Sequence, residues 1–227
     1  MNEDTSSTVS IHLVEQGIRT LTHDWRNVLN GINLRLISAQ VAEETKVCNF
    51  DLSEIQQLIA SATSYLNGLS RKLSAPNLEM MAYPNEYFLE DLADYLQKKT
   101  EFDRTKIKWK KSSIQGKTVV DFIAISQAVS ELIENTLRYL SVENEISIFS
   151  RTENGFLVIG WSENIVGTPL IKDWGMKPFL TTEQGRLGLG LYYARRILEA
   201  HRGYLRFDFA EDSHTLTTNL LLPLEVV

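Results

Sequence analysis

A histidine with two polar neighbours is the first candidate in this sequence for a residue that carries out chemistry. His23 is followed directly by Asp24, and Asn27 lies one helical turn further on. An exposed imidazole beside a carboxylate can be held in the tautomer that leaves one ring nitrogen free to act as a nucleophile. A solvated surface histidine without a chemical role explains the spacing equally well.

A second candidate is a helix that changes from small to polar residues along one stripe. Glu131 and Asn135 are one turn apart, so both could contact the same metal-bound phosphate or water. The alternative is an ordinary solvated helix face. The opposite side of this helix is apolar and is predicted to face the core. The stripe consists of Asp121, Ala124, Ala128, Glu131, Asn135 and Arg138.

Two further segments carry glycines or acids that suit an anionic ligand. Residues 185–191 read Gly-Arg-Leu-Gly-Leu-Gly-Leu at the start of a helix, where backbone N–H groups and the helix N-terminus favour phosphate oxygens. The order of glycines matches neither the dinucleotide fingerprint nor a Walker loop. Residues 163–169 read Glu-Asn-Ile-Val-Gly-Thr-Pro and predict an acidic turn after a strand.

The elements that position these residues fall into two regions. Residues 5–75 contain few helix breakers, and apolar residues alternate at spacings of three and four along two stretches, which predicts two helices with coiled-coil seams. Asp51 and Glu54 indicate a capping box for the second helix, after a polar link at 46–50. The seams comprise Ile11, Val14, Ile18, Leu21, Trp25, Val28 and Ile32, then Leu52, Ile55, Ile59, Ala62, Leu66, Leu69 and Leu73.

In this register Ile18 and Trp25 occupy position a, which places His23 at f, away from the seam. Two helices cannot bury both seams well alone, so we expect a homodimer that forms a four-helix bundle. A monomeric hairpin packed on the rest of the chain is the alternative.

The second region predicts an α+β sandwich rather than a βαβ unit. We expect helices over 86–99, 122–141 and 188–201, the first capped by Asn85, the second by Asp121, and the third ended by Gly203. Strands are predicted at 107–110, 118–120, 146–151, 156–161, 204–209 and 215–222.

Composition limits the function classes. The 227 residues include 23 Lys and Arg against 29 Asp and Glu, a net charge of −6, which disfavours nucleic acid as a partner. The single cysteine excludes a disulfide framework. The polar N-terminus and the lack of a long apolar run predict a cytoplasmic chain with no membrane segment.

In this order, the motifs resemble those of two-component sensor histidine kinases over about residues 10–222. Residues 23–27 are similar to the phosphoacceptor box, and residues 131–139 to the Asn box. Residues 177–182 are similar to the segment before the Gly-rich box, and residues 188–196 to that box and its helix. The resemblance implies a dimerisation and phosphotransfer hairpin at 1–76 and a GHKL-type ATP-binding domain with the Bergerat fold at 77–227.

The resemblance also implies roles in the phosphotransfer hairpin. His23 would accept the γ-phosphoryl group of ATP, and Asp24 would act as acid or base or orient the imidazole. Asn27 would position water when a partner is dephosphorylated. The partner implied is the receiver domain of a response regulator.

In the ATP-binding domain, Asn135 would hold Mg²⁺, with Glu131 one turn before it. Arg138 would approach the phosphates and Tyr139 the nucleotide. The remaining site residues implied are Glu163 and Gly167 in the adenine-reading turn, Thr181 and Thr182 in the lid, and Gly188, Leu189 and Gly190 in the triphosphate cradle.

One departure from the family pattern separates two functions. The adenine-reading turn is normally Asp-Asn-Gly-x-Gly, whereas residues 163–167 read Glu-Asn-Ile-Val-Gly. A misplaced adenine contact would cost about 1–3 kcal/mol. We therefore weigh an ATP-dependent kinase against a histidine phosphotransferase that relays phosphate without binding ATP, and against a non-catalytic dimeric regulator. Only residues 1–10 precede the first seam, so we expect no sensor domain in the chain, which suits a relay or control by a separate sensor protein.

Overall fold

The computed structural model describes residues 11–44, 52–99, 107–110, 113–139, 145–165, 174–181 and 186–225. The chain divides into two compact units. The first unit combines Met1–Ala75 with Lys177–Leu189, and the second combines Pro76–Met176 with Gly190–Val227.

The first unit is built on two long helices, α1 (Ile11–Glu44) and α2 (Leu52–Leu73). Asp24 contacts Tyr65, and Gly31, further along α1, lies beside Leu58, earlier on α2. Since the contacts run in opposite directions along the two helices, α1 and α2 form an antiparallel hairpin. The predicted link at 46–50 and the capping residue Asp51 lie outside the described residues.

The apolar seam of this hairpin is only partly covered. Ile55 and Ala62, at position d of α2, are buried at 7% and 9% exposure. Four residues at position a remain between 40% and 56% exposed in the single chain, namely Ile18, Ile59, Leu66 and Leu73, whereas Trp25 and Ile32 at the same position are partly buried. The hairpin therefore leaves an apolar stripe uncovered within this chain.

The second unit contains two sheets and three helices. Strands β1 (Met81–Pro84) and β3 (Lys117–Val120) pair antiparallel. The larger sheet has the order β2-β4-β5-β7-β6, in which β2 is parallel to β4 and all other pairs are antiparallel. Its strands are β2 (Ile107–Trp109), β4 (Ile146–Glu153), β5 (Phe156–Asn164), β6 (Tyr204–Ala210) and β7 (Thr215–Pro223), and the helices are α3 (Asn85–Lys98), α4 (Phe122–Tyr139) and α5 (Gly190–Ala200).

One apolar core lies between the helices and one face of the larger sheet. Residues alternate between buried and partly exposed along β4, as expected for a sheet with one covered face. The core includes side chains of all three helices, among them Leu92, Ile133 and Leu198. This arrangement confirms the predicted α+β sandwich.

The predicted capping role of Asn85 is wrong. Asn85 is the first residue of α3 and is fully buried, and Pro84 at the N-cap makes no side-chain hydrogen bond to the helix. The Asn85 amide donates to the carbonyl of Gln115, and its Oδ1 accepts a hydrogen bond from Thr118 at 2.6 Å. Tertiary contacts with Gln115 and Thr118 therefore occupy the side-chain groups with which Asn85 could have capped the helix.

The strand that approaches the predicted acidic turn is longer than expected. Residues Glu163 and Asn164 belong to β5, where they pair with Leu216 and Thr215 of β7. Pairing along the full length of β7 extends the strand, so Glu163 is a strand residue and the prediction of a turn at this position is wrong.

The start of α4 agrees with its predicted cap. The backbone N–H of Ala124 donates to Asp121 Oδ1 at 2.9 Å, and the N–H of Asp121 itself donates to Nε2 of His201 at 2.9 Å. The end of α5 differs from the prediction in one residue, because Arg202, rather than Gly203, has the left-handed conformation at φ 58°. Among the described residues, no helix has the length and apolar character needed to span a membrane.

Burial lowers the pKa of His201 below its usual value, and its Nε2 is already used as an acceptor. The unfolded chain therefore takes up a proton near pH 6.5 that the folded chain takes up only at lower pH, so stability falls as the pH drops below that value. We expect His201→Gln to lose about 1–3 kcal/mol at neutral pH and to show a flatter decline towards acid. Urea unfolding at several pH values measures both. Parallel pH profiles for the two proteins would contradict this assignment.

Candidate functional site

His23 lies on the exposed face of α1, as its heptad position predicts. Its side chain is 73% exposed, and that of Asp24 is 37% exposed. Trp25, at position a, is partly buried. The exposure of the ring means that another molecule can approach it without unfolding the hairpin.

The polar partners of the ring are on its Nδ1 side. Nδ1 lies 3.4 Å from Asp24 Oδ1, which can only accept, and 3.3 Å from Asn27 Nδ2, which can only donate, so the Asp24 contact is a hydrogen bond when Nδ1 carries a proton and the Asn27 contact is one when it does not. Within the part of the chain that the structure describes, no hydrogen bond involves Nε2. A proton on Nδ1, donated towards the Asp24 carboxylate, leaves the lone pair of Nε2 exposed to solvent, which is the protonation state of a nucleophilic imidazole.

Tyr65 on α2 is a member of this cluster that the sequence analysis missed. Its hydroxyl donates to Asp24 Oδ2 at 3.2 Å. A signal for the contact exists in the sequence, because Asp24 and Tyr65 both occupy position g of their heptads. Reversing one helix of a pair keeps the two g positions on the same flank of the seam.

In the second unit, the first residue of α5 lies next to two of the predicted site residues on α4. A Cβ at Gly190 would lie 2.8 Å from Glu131 Oε2 and 3.8 Å from Asn135 Nδ2. A side chain at position 190 would require the Glu131 carboxylate to move away from the start of α5. Glu131, Asn135 and the N-terminus of α5 therefore form one cluster.

The chemistry of this cluster suits a magnesium ion and phosphate. A carboxylate and an amide carbonyl are oxygen ligands of the kind Mg²⁺ prefers, and Mg²⁺ takes its other ligands from water and substrate phosphates. The N–H groups in the first turn of α5 favour an anion. Over the described ranges, no group of three or more His, Cys, Asp or Glu side chains could hold a metal ion by itself.

A hydrogen-bonded chain holds Glu163 at the end of β5. The indole N–H of Trp161 donates to Thr136 Oγ1 at 3.0 Å, and the Thr136 hydroxyl donates to Glu163 Oε1 at 2.9 Å. Burial raises the pKa of Glu163, and the hydrogen bond from Thr136 opposes that shift. Thr136 and Trp161, predicted only as packing residues, therefore fix the carboxylate that the resemblance assigns to the nucleobase.

The small residues of the α4 stripe are not open to a ligand. Ala124 and Ala128 are 8% and 0% exposed and belong to the core, so the predicted stripe is wrong over its first half. The polar half, from Glu131 to Asn135, is only partly buried. The room for a ligand is therefore limited to the C-terminal half of α4.

The contacts of the other predicted site residues say less about how a ligand would bind. Arg138 donates to Glu134, one turn earlier, at 3.1 Å. Gly188 has φ 62°, and a Cβ there would lie 2.6 Å from the carbonyl oxygen of Leu180, which explains glycine at this position. Leu189 is buried, and Thr181 is partly buried. Gly167, Thr182 and the side chain of Tyr139 lie outside the described residues.

Comparison with known families agrees with this geometry. Residues 120–226 match the family described as histidine kinase-, DNA gyrase B-, and HSP90-like ATPases. The matched range contains α4, β5, α5 and the two clusters around Glu131 and Glu163. No curated protein sequence matches the chain.

Solved structures with a similar fold are histidine kinases. The Acinetobacter baumannii histidine kinase AdeS matches with a TM-score of 0.59 and 14% identity, over 90% of this chain and 98% of that chain. The mycobacterial sensor histidine kinase MprB has a TM-score of 0.51 and 14% identity, over 66% and 100%. Full-length ShkA in complex with AMPPNP has a TM-score of 0.60 and 19% identity, over 92% of this chain but only 46% of ShkA.

These findings confirm the resemblance to two-component sensor histidine kinases. Residues 120–226 match the histidine kinase-, DNA gyrase B-, and HSP90-like ATPases, and the chain has the fold of these histidine kinases. At these identities the solved structures establish the fold, whereas the chemistry of the individual residues has to be argued from this chain.

The hydrogen bonds that link Trp161, Thr136 and Glu163 lead to a testable prediction. Thr136→Val removes the hydroxyl while keeping the shape, so the buried indole N–H loses its acceptor and Glu163 loses its donor. We expect about 1–3 kcal/mol less unfolding free energy and a further rise in the pKa of Glu163. Denaturant unfolding and carboxyl ¹³C NMR measure these changes. Thr136→Ser keeps the hydroxyl and should preserve the pKa, so equal pKa values in both variants would contradict the assignment.

Proposed function

We propose that this protein is a two-component signalling protein in which His23 accepts a phosphoryl group from Mg-ATP and passes it to an aspartate on a response-regulator receiver domain. The observation that carries the proposal is the exposed imidazole with its polar partners gathered at Nδ1. Residues 1–76 then serve as the dimerisation and phosphotransfer hairpin, and residues 77–227 as the ATP-binding domain.

The transfer to His23 follows from its protonation state. The Nε2 lone pair attacks the γ-phosphorus, and the N–P bond forms as the bond to the β-phosphate oxygen breaks and ADP leaves. The proton on Nδ1 remains in place, where the negative charge of Asp24 stabilises the positive charge that develops on the ring. In the second transfer, the N–P bond breaks as an aspartate oxygen of the receiver takes the phosphoryl group. Asn27, beside the same ring, would orient the water that hydrolyses the phosphoaspartate of the receiver domain to aspartate and phosphate.

The second unit supplies groups for the nucleotide. Glu131 and Asn135 would hold Mg²⁺, which neutralises charge on the phosphates. The first turn of α5 donates backbone N–H groups to the phosphate oxygens. Glu163 has one carboxylate oxygen engaged by Thr136 and presents the other as an acceptor for an amino group of the base.

A homodimer is part of this proposal. The exposed residues at position a of α1 and α2 form an apolar stripe on the hairpin that faces solvent in the single chain. A second copy would cover this stripe by completing a four-helix bundle, which is the usual way for two such hairpins to bury their seams.

A relay protein is the second candidate, and two contacts favour it. The carboxylate of Glu131 lies at the N-terminus of α5, where the phosphates of a nucleotide would bind. At the adenine-reading turn, Ile165 stands where the family pattern has glycine, and its N–H is already donated to the carbonyl of His214. In this version His23 receives its phosphoryl group from one receiver domain and donates it to another, and no ATP is required.

Labelling with γ-³²P-ATP and Mg²⁺ separates the candidates. For the kinase, we expect an acid-labile, base-stable phosphoprotein, no label in His23→Gln, and at least a tenfold loss in Asn135→Asp because a magnesium ligand is changed. Phosphoramidate, which does not use the nucleotide site, should label the wild type and Asn135→Asp alike, and this provides the control for folding.

Other outcomes assign the protein differently. If ATP gives no label but a phosphorylated receiver domain transfers phosphate to His23, the protein is a relay. If His23→Gln leaves every labelling reaction unchanged, neither candidate stands and a non-catalytic dimeric regulator, with a separate sensor protein as a possible partner, becomes the better explanation.

A further inference from the structure

The two carboxylate oxygens of Asp24 have different partners. Oδ1 lies 3.4 Å from His23 Nδ1, and Oδ2 accepts a hydrogen bond from the Tyr65 hydroxyl at 3.2 Å. The donor comes from α2, so the hydrogen bond joins the two helices of the hairpin. Asp24 is thereby held through the carboxylate oxygen that does not contact the imidazole.

Helix geometry makes this external contact important. Residues adjacent in sequence point in directions about 100° apart on a helix and do not face each other. Asp24 can therefore approach the His23 ring only in particular rotamers, and its distance of 3.4 Å is at the long end for a hydrogen bond. Without a second contact, a side chain that is 37% exposed would sample several rotamers and leave the ring for part of the time.

The electrostatic environment of Tyr65 is consistent with a lasting contact. Its pKa is raised by partial burial and, to a smaller extent, by the negative charge of Asp24 and the hydrogen bond to it. The hydroxyl consequently keeps its proton, and so remains a donor, at neutral pH. Tyr65 is 41% exposed, so its hydroxyl contributes little to the core.

We propose that Tyr65 is a positioning residue for phosphoryl acceptance at His23: it holds the Asp24 carboxylate so that Oδ1 faces Nδ1 and the ring keeps its proton there. This inference rests on the proposed function, because it assigns a partner to the same histidine. Tyr65 does not touch the phosphoryl donor, and it acts only through Asp24.

The test is Tyr65→Phe in the full chain. We expect phosphoramidate to label His23 roughly three- to tenfold more slowly, the rate change that corresponds to one lost hydrogen bond. ¹⁵N NMR of the His23 ring should show a smaller fraction of the tautomer with the proton on Nδ1. The matched control is Tyr87→Phe on α3, which should change neither quantity, and equal unfolding midpoints would show that folding is intact.

A double-mutant cycle tests whether Tyr65 acts through Asp24. In an Asp24→Asn background, Tyr65→Phe should have little further effect on the labelling rate. In the same background, the pKa of Tyr65 should fall, because the charge of Asp24 is gone while its burial remains. An unchanged rate in Tyr65→Phe, or an equal loss with and without Asp24, would overturn the proposal.

Failure of the proposed function gives a different result. If phosphoramidate and ATP both leave wild-type His23 unlabelled, the phosphotransfer role is wrong. The ¹⁵N measurement still decides the positioning of Asp24 in that case, because a tautomer shift in Tyr65→Phe supports the contact and an unchanged tautomer overturns it.

Discussion

The contact between the Asp24 carboxylate and Nδ1 of His23 is the interaction on which the proposed function of this protein depends. An imidazole with a proton on one nitrogen has a lone pair on the other, so fixing the proton at Nδ1 directs the reactivity to Nε2. The heptad pattern places the ring on the exposed side of α1, and the hairpin brings Tyr65 to the opposite side of the carboxylate. The stability of the helix pair and the chemistry of the ring are therefore connected through one acid.

The second unit also contains a carboxylate that is held by a hydroxyl donor from a neighbouring element. Trp161 and Thr136 hold Glu163 at the end of β5, and α5 begins beside Glu131 on α4. These are the acids that the proposed nucleotide site uses. In that proposal the kinase and the relay share one fold and differ by small changes at this site.

Local patterns in the sequence correctly predicted features that depend on helical periodicity. They failed where residues distant in sequence determine the contacts of a side chain or the length of a strand. The exposed position of His23 and the Asp121 cap were evident from spacing. Asn85 was predicted as a cap, but Thr118 and Gln115, distant in sequence, take its polar groups. Similarly, the length of β5 depends on its partner β7, and the burial of Ala128 depends on the packing of α4 into the core, neither of which a local pattern contains.

The position of the phosphoryl group on the His23 ring tests this account most directly. ³¹P NMR of the phosphorylated full chain, with ¹⁵N-labelled histidine, identifies which ring nitrogen is bonded to phosphorus. The account predicts a single phosphohistidine with the bond at Nε2, because Asp24 and Asn27 lie at Nδ1. A bond at Nδ1, or phosphate on another residue, would contradict it.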